Sequence, residues 1–284
     1  MVECSGCRLI RLYPWPDPTE LQKYYPQSYW FTADENTASR LEETYRRFVL
    51  RDHIAFVTGA LQRMKKPGVV LDVGCGGGLF PRMLAERGYT VFGMDYSRQA
   101  AHVTWTRNRV PALCGELPLA PFAPGTFAVI TMFHVLEHLY DPASYIQAAY
   151  QLLQPGGKLV VQVPNAASWQ FLLFGENWNG LDIPRHLVDF RVRDLDTLLE
   201  GGGFEVVRHK HFSLRDNPAG LATTLAPGLD PMARRIRAVA DGGAMRLFKD
   251  LIYLSLVIMS LPVTALEAAC GAGSTIMIEA RKPA

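Results

Sequence analysis

Apolar runs alternate with amphipathic stretches along the chain from residue 38 onward. Short apolar runs bounded by turn residues are typical of buried strands, and apolar positions at helical spacing are typical of helices. The pattern predicts strands at residues 69–73, 89–94, 110–114, 127–132, 154–164, 204–212 and 274–281. It predicts helices at residues 38–65, 79–87, 97–108, 141–153 and 192–201. Strands that alternate with helices predict an α/β fold with a doubly wound, mainly parallel sheet.

A glycine-rich loop follows the first of these strands, and an acid ends the second. The loop has the pattern D-x-G-x-G-x-G, formed by Asp72, Gly74, Gly76 and Gly78, and the acid is Asp95. This layout binds a nucleoside-bearing cofactor, because glycine admits close approach to the backbone and the acid can accept hydrogen bonds from ribose hydroxyls. The dinucleotide pattern G-x-G-x-x-G fails at Leu79, which disfavours an NAD-dependent dehydrogenase.

Three motifs occur in a fixed order along residues 72–159. They are the glycine loop, the stretch HxLEH at residues 134–138, and L-x-P-G-G-x-L at residues 153–159. Together they resemble the motifs of class I S-adenosylmethionine-dependent methyltransferases, in the bacterial type 11/23-like branch. The resemblance implies a Rossmann-like, seven-stranded, doubly wound sheet of order 3-2-1-4-5-7-6 with the last strand antiparallel. It also implies S-adenosyl-L-methionine as cofactor and methyl transfer as the reaction.

The resemblance assigns cofactor binding to residues at the carboxyl ends of the first four strands. Glu116 lies where class I enzymes carry an acid near the adenine amino group, and a solvated loop glutamate is the alternative interpretation. His134 is predicted to face either the methionine part of the cofactor or the acceptor. The predicted cofactor-binding residues are Asp72, Gly74, Cys75, Gly76, Gly78, Asp95, Tyr96, Ser97, Glu116, Leu117 and His134.

Taken alone, residues 134–138 also match H-x-x-E-H, the motif of inverted zinc proteases. That motif belongs within a long helix, whereas here it follows a strand and precedes the helix-starting pair Asp141-Pro142. We therefore predict no metal at this stretch.

Residues 165–191 are predicted to form a long loop that overlies the cofactor, and its aromatic side chains are candidates for an acceptor pocket. His186 in this loop is the first candidate for a catalytic general base, and His134 is the second. A histidine that makes only structural hydrogen bonds is the alternative. A base is needed when the nucleophile is a hydroxyl, so we predict O-methylation of a small-molecule or lipid-like acceptor. C- or N-methylation and a non-catalytic cofactor-binding partner are the alternatives.

Composition and charge limit the partners and the compartment. Net charge is +2 with dispersed arginines, so nucleic acid is not expected as a partner. Five scattered cysteines do not make a disulfide framework, and the N-terminus lacks a signal-peptide pattern, so a cytoplasmic location is predicted. Cys4 and Cys7 form one C-x2-C, half of a zinc ribbon, in a segment that resembles the region after a zinc knuckle in some bacterial methyltransferases. We expect that the other half has been lost, and we predict no bound metal.

The predicted domain organisation has three parts. Residues 1–37 form an N-terminal segment, residues 38–212 and 273–284 form the methyltransferase domain, and residues 213–272 form a helical insertion. Within the insertion, residues 251–266 carry no charge, and Pro262 is expected to interrupt them. The interpretations are a lid or homodimer helix, a membrane-surface helix through residues 245–266, and a membrane span. A span is disfavoured because about 20 apolar residues are required and because the final strand would lie across the bilayer.

Overall fold

The computed structural model describes residues 1–25, 37–64, 68–237 and 242–284. Its strands in chain order are β1 (Val2–Glu3), β2 (Ile10–Arg11), β3 (Val69–Val73), β4 (Val91–Asp95), β5 (Ala112–Cys114), β6 (Phe127–Phe133), β7 (Leu153–Pro164), β8 (Val188–Asp189), β9 (Glu205–Lys210) and β10 (Thr275–Arg281).

The helices are α1 (Pro18–Leu21), α2 (Thr37–Val49), α3 (Arg51–Gln62), α4 (Leu79–Ala85), α5 (Arg98–Thr106), α6 (Pro142–Leu152), α7 (Trp169–Phe174), α8 (Val192–Gly201), α9 (Asn217–Leu225), α10 (Pro231–Ile236) and α11 (Gly243–Ala269). Short 3-10 turns lie at Gln22–Tyr24, Leu117–Leu119, Leu136–His138, Gly175–Asn177 and Asn179–Leu181.

Seven strands form one sheet in the order β5-β4-β3-β6-β7-β10-β9, with the last strand of the chain antiparallel. This is the predicted order 3-2-1-4-5-7-6, so the predicted Rossmann-like architecture is confirmed. The inner strands are buried on both faces, as Leu71, Val129 and Ile130 illustrate with no exposed surface. Parallel strands covered by helices on both faces are apolar throughout, which explains why continuous apolar runs located them in the sequence.

Strand register brings the carboxyl ends of the central strands to one edge of the sheet. Val73 pairs with Met94 between β3 and β4, so the glycine loop and Asp95 follow at the same level. Asp72 pairs with Thr131 between β3 and β6. Phe133 pairs with Gln162 between β6 and β7. The edge that collects the candidate cofactor residues is therefore set by the parallel pairing.

The described chain divides into two compact units. One holds residues 37–64, 68–163, 193–209 and 277–284, which include most of the seven-stranded sheet. The other holds residues 1–25, 164–192, 210–237 and 242–276, which include the small antiparallel sheet β1-β2-β8 and helices α9 to α11. The predicted domain boundaries stay a prediction, as does the resemblance of the N-terminal segment to a zinc knuckle.

Three predicted elements differ from the structure. The single helix predicted at 38–65 is two helices, α2 and α3, separated by Leu50, and residue 65 lies outside the described residues. The loop predicted at 165–191 contains α7, because the Ser168 hydroxyl caps it by accepting a hydrogen bond from the Phe171 N–H at 3.1 Å. Pro262 does not interrupt α11, because it is exposed and the carbonyl it leaves without a partner, that of Ile258, lies on the solvent side.

Candidate active site

Asp95 connects the glycine loop to the start of α5. Its Oδ2 atom accepts a hydrogen bond from the Gly76 N–H at 2.8 Å, and its Oδ1 atom accepts one from the Ser97 N–H at 2.8 Å. The residue is only 4% exposed. Burial raises the pKa of Asp95, although the two backbone N–H groups act in the opposite direction. Each carboxylate oxygen keeps a second lone pair, so the group can still accept hydrogen bonds from a ligand.

The glycine loop has the backbone conformation that only glycine adopts without strain. Gly74, Gly76 and Gly78 have φ values of 71°, 53° and 77°, all in the left-handed region. Space is short as well, because a Cβ on Gly74 would lie 2.5 Å from Val135 Cγ2 and a Cβ on Gly78 would lie 2.6 Å from Thr104 Oγ1. The loop therefore packs directly against the HxLEH stretch and against α5.

Asp72 lies beneath this loop and is almost completely buried. Its Oδ1 atom accepts a hydrogen bond of 2.6 Å from the Thr131 hydroxyl on β6. Burial, with a further contribution from the charge of Asp95, raises the pKa of Asp72 to about 7, although the Thr131 hydrogen bond lowers it. Asp72 therefore changes its charge near neutral pH, directly under the candidate cofactor site.

The remaining predicted cofactor residues take different positions along the same edge. Ser97 caps α5, and its hydroxyl accepts a hydrogen bond from the Ala100 N–H at 3.3 Å. Tyr96 is 67% exposed. Glu116 is exposed and Leu117 is buried at the start of the turn Leu117–Leu119. The Cys75 Sγ atom is buried 3.5 Å from Thr104 Oγ1. Its contribution to the cofactor site would come from its backbone.

His134 lies at the carboxyl end of β6 with a positive φ of 56°. Its Nδ1 atom is 3.1 Å from Glu137 Oε1, and its Nε2 atom is 3.0 Å from the side-chain amide of Gln162. The Glu137 carboxylate can only accept, so Nδ1 carries the proton and donates to it, and Nε2 accepts a hydrogen bond from the Gln162 side-chain N–H. This arrangement favours a positioning role for His134 over that of a base.

His186 has the ring geometry of a candidate base. Its Nδ1 atom is 2.8 Å from the Gly180 carbonyl oxygen, which can only accept, so Nδ1 carries the proton and Nε2 is the basic nitrogen of the neutral ring. Asp182 Oδ2 lies 3.9 Å from Nε2, where its charge would stabilise a protonated ring. His186 belongs to the unit with residues 164–192, whereas His134 belongs to the unit with the large sheet.

A family model described as a methyltransferase domain matches residues 42–209, which is more than half of the chain. The chain belongs to the class I S-adenosylmethionine-dependent methyltransferases. The matched range contains the glycine loop, Asp95 and both candidate histidines.

Two similar curated proteins are named as methyltransferases. A probable S-adenosylmethionine-dependent methyltransferase of Mycolicibacterium smegmatis is 33% identical over 141 residues, which are 48% of this chain and 52% of that protein. A ubiquinone biosynthesis O-methyltransferase of Pseudomonas paraeruginosa is 33% identical over 130 residues, which are 43% of this chain and 56% of that protein. The chain thus spans about half the length of these curated relatives.

A solved structure shares the fold. The crystal structure of an S-adenosylmethionine-dependent methyltransferase from Archaeoglobus fulgidus has a TM-score of 0.54 at 17% identity, and the match covers 87% of this chain and 100% of that one.

Two features of the candidate cofactor site fit S-adenosylmethionine. The first feature is the glycine loop, in which a Cβ at residue 74 or 78 would collide with neighbouring side chains, so that only backbone lines this part of the site. The second is Asp95, a buried hydrogen-bond acceptor at the end of β4. A cradle of backbone next to a strand-end acid suits a ligand that presents ribose hydroxyls.

Gly78→Ala is expected to destabilise the methyltransferase by about 3 kcal/mol and to weaken cofactor binding, because it combines a strained φ with a collision against Thr104. Gly88→Ala is a matched control, since Gly88 has a φ of 85° but no atom within 4 Å of its ideal Cβ. It should cost only about 1 kcal/mol and leave binding unchanged. Chemical denaturation and cofactor titration of both variants measure this. Equal losses of stability and of cofactor affinity in the two variants would show that packing against Thr104 does not shape the loop.

Asp72 should make stability depend on pH near neutrality. Its pKa of about 7 in the folded chain is above the value of 3.8 for a free carboxyl, so protonation favours folding. The contribution is complete below pH 3.8 and is lost as pH rises through about 7. Relative to Asp72→Asn, the wild type should therefore lose up to about 4 kcal/mol between pH 4 and pH 8. Urea denaturation across this range measures the difference, and parallel pH profiles would contradict it.

Sequence reasoning missed four residues that shape the site. Thr131 and Gln162 are polar residues inside the apolar runs of β6 and β7, and this is a signal that could have identified them. Tyr145 is recognisable only from its surroundings in the folded chain. Burial, followed by the charge of Glu116, raises its pKa to about 12, and its hydroxyl forms a hydrogen bond with the backbone of Leu117. Thr104 lies in an amphipathic helix, where nothing in the pattern distinguishes it.

Proposed function

We propose that this methyltransferase transfers the methyl group of S-adenosylmethionine to a hydroxyl oxygen of a phenolic, lipid-like acceptor. The observation that carries the proposal is the edge formed by the glycine loop and Asp95, with its backbone cradle and its buried acceptor. The names of curated relatives as ubiquinone biosynthesis O-methyltransferases support oxygen as the acceptor atom and a quinone-related compound as the acceptor.

Each part of the cofactor has a proposed binding group. Asp95 would accept hydrogen bonds from the ribose hydroxyls with its remaining lone pairs. The backbone of residues 74–78 would lie against the methionine portion, and Asp72, whose charge changes near neutral pH, would lie beneath it. Glu116 and Leu117 would flank the adenine, next to Tyr145.

When bound, S-adenosylmethionine supplies a methyl group on a positively charged sulfur, so the C–S bond breaks as the C–O bond forms and S-adenosylhomocysteine leaves. The residues of the chain provide positioning and proton transfer. His186 would take the hydroxyl proton at Nε2, because Nδ1 already donates to Gly180. The imidazolium formed in this step would lie near Asp182. His134, held by Glu137 and Gln162, would fix the shape of the edge beside the methyl group.

The acceptor is tested with radiolabelled methyl donor and a panel of small probes. The panel holds a catechol with a short prenyl tail, the same catechol without the tail, and an aromatic amine of similar size. Label is expected in the tailed catechol, with a lower KM than for the bare catechol because the tail adds apolar contact. Label in the amine and in neither catechol would replace the proposal with N-methylation.

A further inference from the structure

Helix α11 has its polar and apolar faces reversed with respect to a helix of a water-soluble domain. One side of α11 packs on α9, and there the Tyr253 hydroxyl lies 2.9 Å from the Thr223 hydroxyl of α9. The buried positions on α11 are Val257 and three polar residues, Ser260, Thr264 and Glu267. Glu267 Oε2 accepts a hydrogen bond from the buried Gln170 amide at 2.8 Å. The usual arrangement places polar residues on the solvent side.

The opposite side of α11 is apolar and exposed along its whole length. Nine large apolar side chains on it are 41% to 72% exposed, namely Met245, Leu247, Phe248, Leu251, Leu254, Ile258, Met259, Val263 and Leu266. At 100° per residue these positions cover about 180° of the helix surface. By length and composition α11 could cross a membrane, with a mean hydropathy of 1.8 in its most apolar window and only 22% of that window buried. An apolar surface of this extent marks an interaction site.

The sheet excludes a transmembrane path for α11. The helix lies between β9 and β10 in the chain, and these two strands are neighbours in the seven-stranded sheet. Both ends of the connection therefore return to the same sheet, and a single crossing would separate paired strands by a bilayer. The apolar face can meet a membrane only by lying along its surface.

The charged residues of α11 lie near its two ends, and the cations are at the amino-terminal end. Residues 251–266 carry no charge, whereas residues 234–250 carry five cations, Arg234, Arg235, Arg237, Arg246 and Lys249, and two acids, Asp241 and Asp250. Arg234 is buried and pairs with Asp250. Arg237 and Arg246 are exposed. Exposed cations next to an apolar helix face complement the phosphates and the acyl chains of an anionic bilayer surface.

We propose that α11 docks this methyltransferase on anionic lipid bilayers, with its apolar face in the headgroup region and the exposed cations Arg237 and Arg246 on lipid phosphates. A second copy of the chain fits less well, because a helix–helix seam covers about 100° and would leave nearly half of the apolar arc in water.

The test is flotation of the full chain with vesicles, without cofactor or acceptor, so its result is independent of the proposed reaction. Vesicles of phosphatidylcholine with phosphatidylglycerol should carry the wild type, and vesicles of phosphatidylcholine alone should carry at least about tenfold less. Ile258→Glu and Leu266→Glu should each reduce binding to the anionic vesicles by about tenfold. Val207→Glu is the matched control, since Val207 is 49% exposed on β9, and it should bind as the wild type does.

Circular dichroism and thermal unfolding first establish that each variant is folded. Arg237→Glu with Arg246→Glu should reduce binding to anionic vesicles and should make the remaining binding insensitive to salt. Wild-type chain that stays out of the vesicle fraction would overturn the proposal. A dimer in sedimentation equilibrium that Ile258→Glu dissociates, without any vesicle binding, would assign the face to a second copy instead.

Discussion

Replacing Asp95 by alanine is expected to raise the dissociation constant for S-adenosylmethionine at least about 100-fold, because two hydrogen bonds from ribose to a charged group are lost. The Gly76 and Ser97 N–H groups also lose their acceptor, so the loop loses its connection to α5. Isothermal titration with S-adenosylmethionine measures the change.

A matched control separates a direct effect on cofactor binding from an effect on the stability of the fold. Asp230 is also an acid that accepts two backbone N–H groups, from Met232 at 2.8 Å and from Ala233 at 3.4 Å, but it caps α10. Asp230→Ala should therefore lower the melting temperature and leave the dissociation constant unchanged. Equal weakening of cofactor binding in both variants would mean that Asp95 acts only through stability.

Replacing His186 by asparagine is expected to lower kcat for a catechol about 100- to 10,000-fold while the dissociation constant for S-adenosylmethionine changes little. Asparagine can donate to the Gly180 carbonyl as the Nδ1–H group does, but it cannot take a proton. Radiolabelled methyl transfer to the tailed catechol measures kcat. His209→Asn is the control, because His209 pairs with Asp196 at 2.8 Å on the other compact unit, and it should retain full activity.

The acidity of the acceptor provides a second readout for His186. A nitrocatechol is ionised near neutral pH, so it needs no base, and His186→Asn should methylate it at a rate near that of the wild type. The rate with ordinary catechol should rise with pH in the variant as the hydroxyl ionises. A variant equally impaired with both acceptors would assign His186 a structural role, through its bond to Gly180.

The glycine loop and the acid at the end of β4 were predictable because their determinants are local in sequence. Gly74, Gly76 and Gly78 are required by backbone geometry within one loop, and Asp95 follows a strand that its own apolar run identifies. Parallel pairing then brings loop and acid to one edge without further information. The order of the sheet was predicted from the family resemblance and not from these local determinants.

The features that sequence reasoning missed depend on contacts between distant segments. The Glu279 carboxylate, fully buried on β10, lies 2.6 Å from Arg63, 2.6 Å from Arg208 and 2.8 Å from Lys158. Nothing local in the sequence joins those four residues. The partners of His134 are similar, since Gln162 reaches it from the next strand. The break predicted at Pro262 is absent from α11: local propensity predicts it, but the exposed position of the proline allows the helix to continue.

Titration of the wild-type chain with S-adenosylmethionine, and separately with NADH, tests the central claim most directly. We predict saturable binding of S-adenosylmethionine at one site per chain and no saturable binding of NADH, because Leu79 occupies the third glycine position of the dinucleotide pattern. Saturable binding of NADH without binding of S-adenosylmethionine would contradict it.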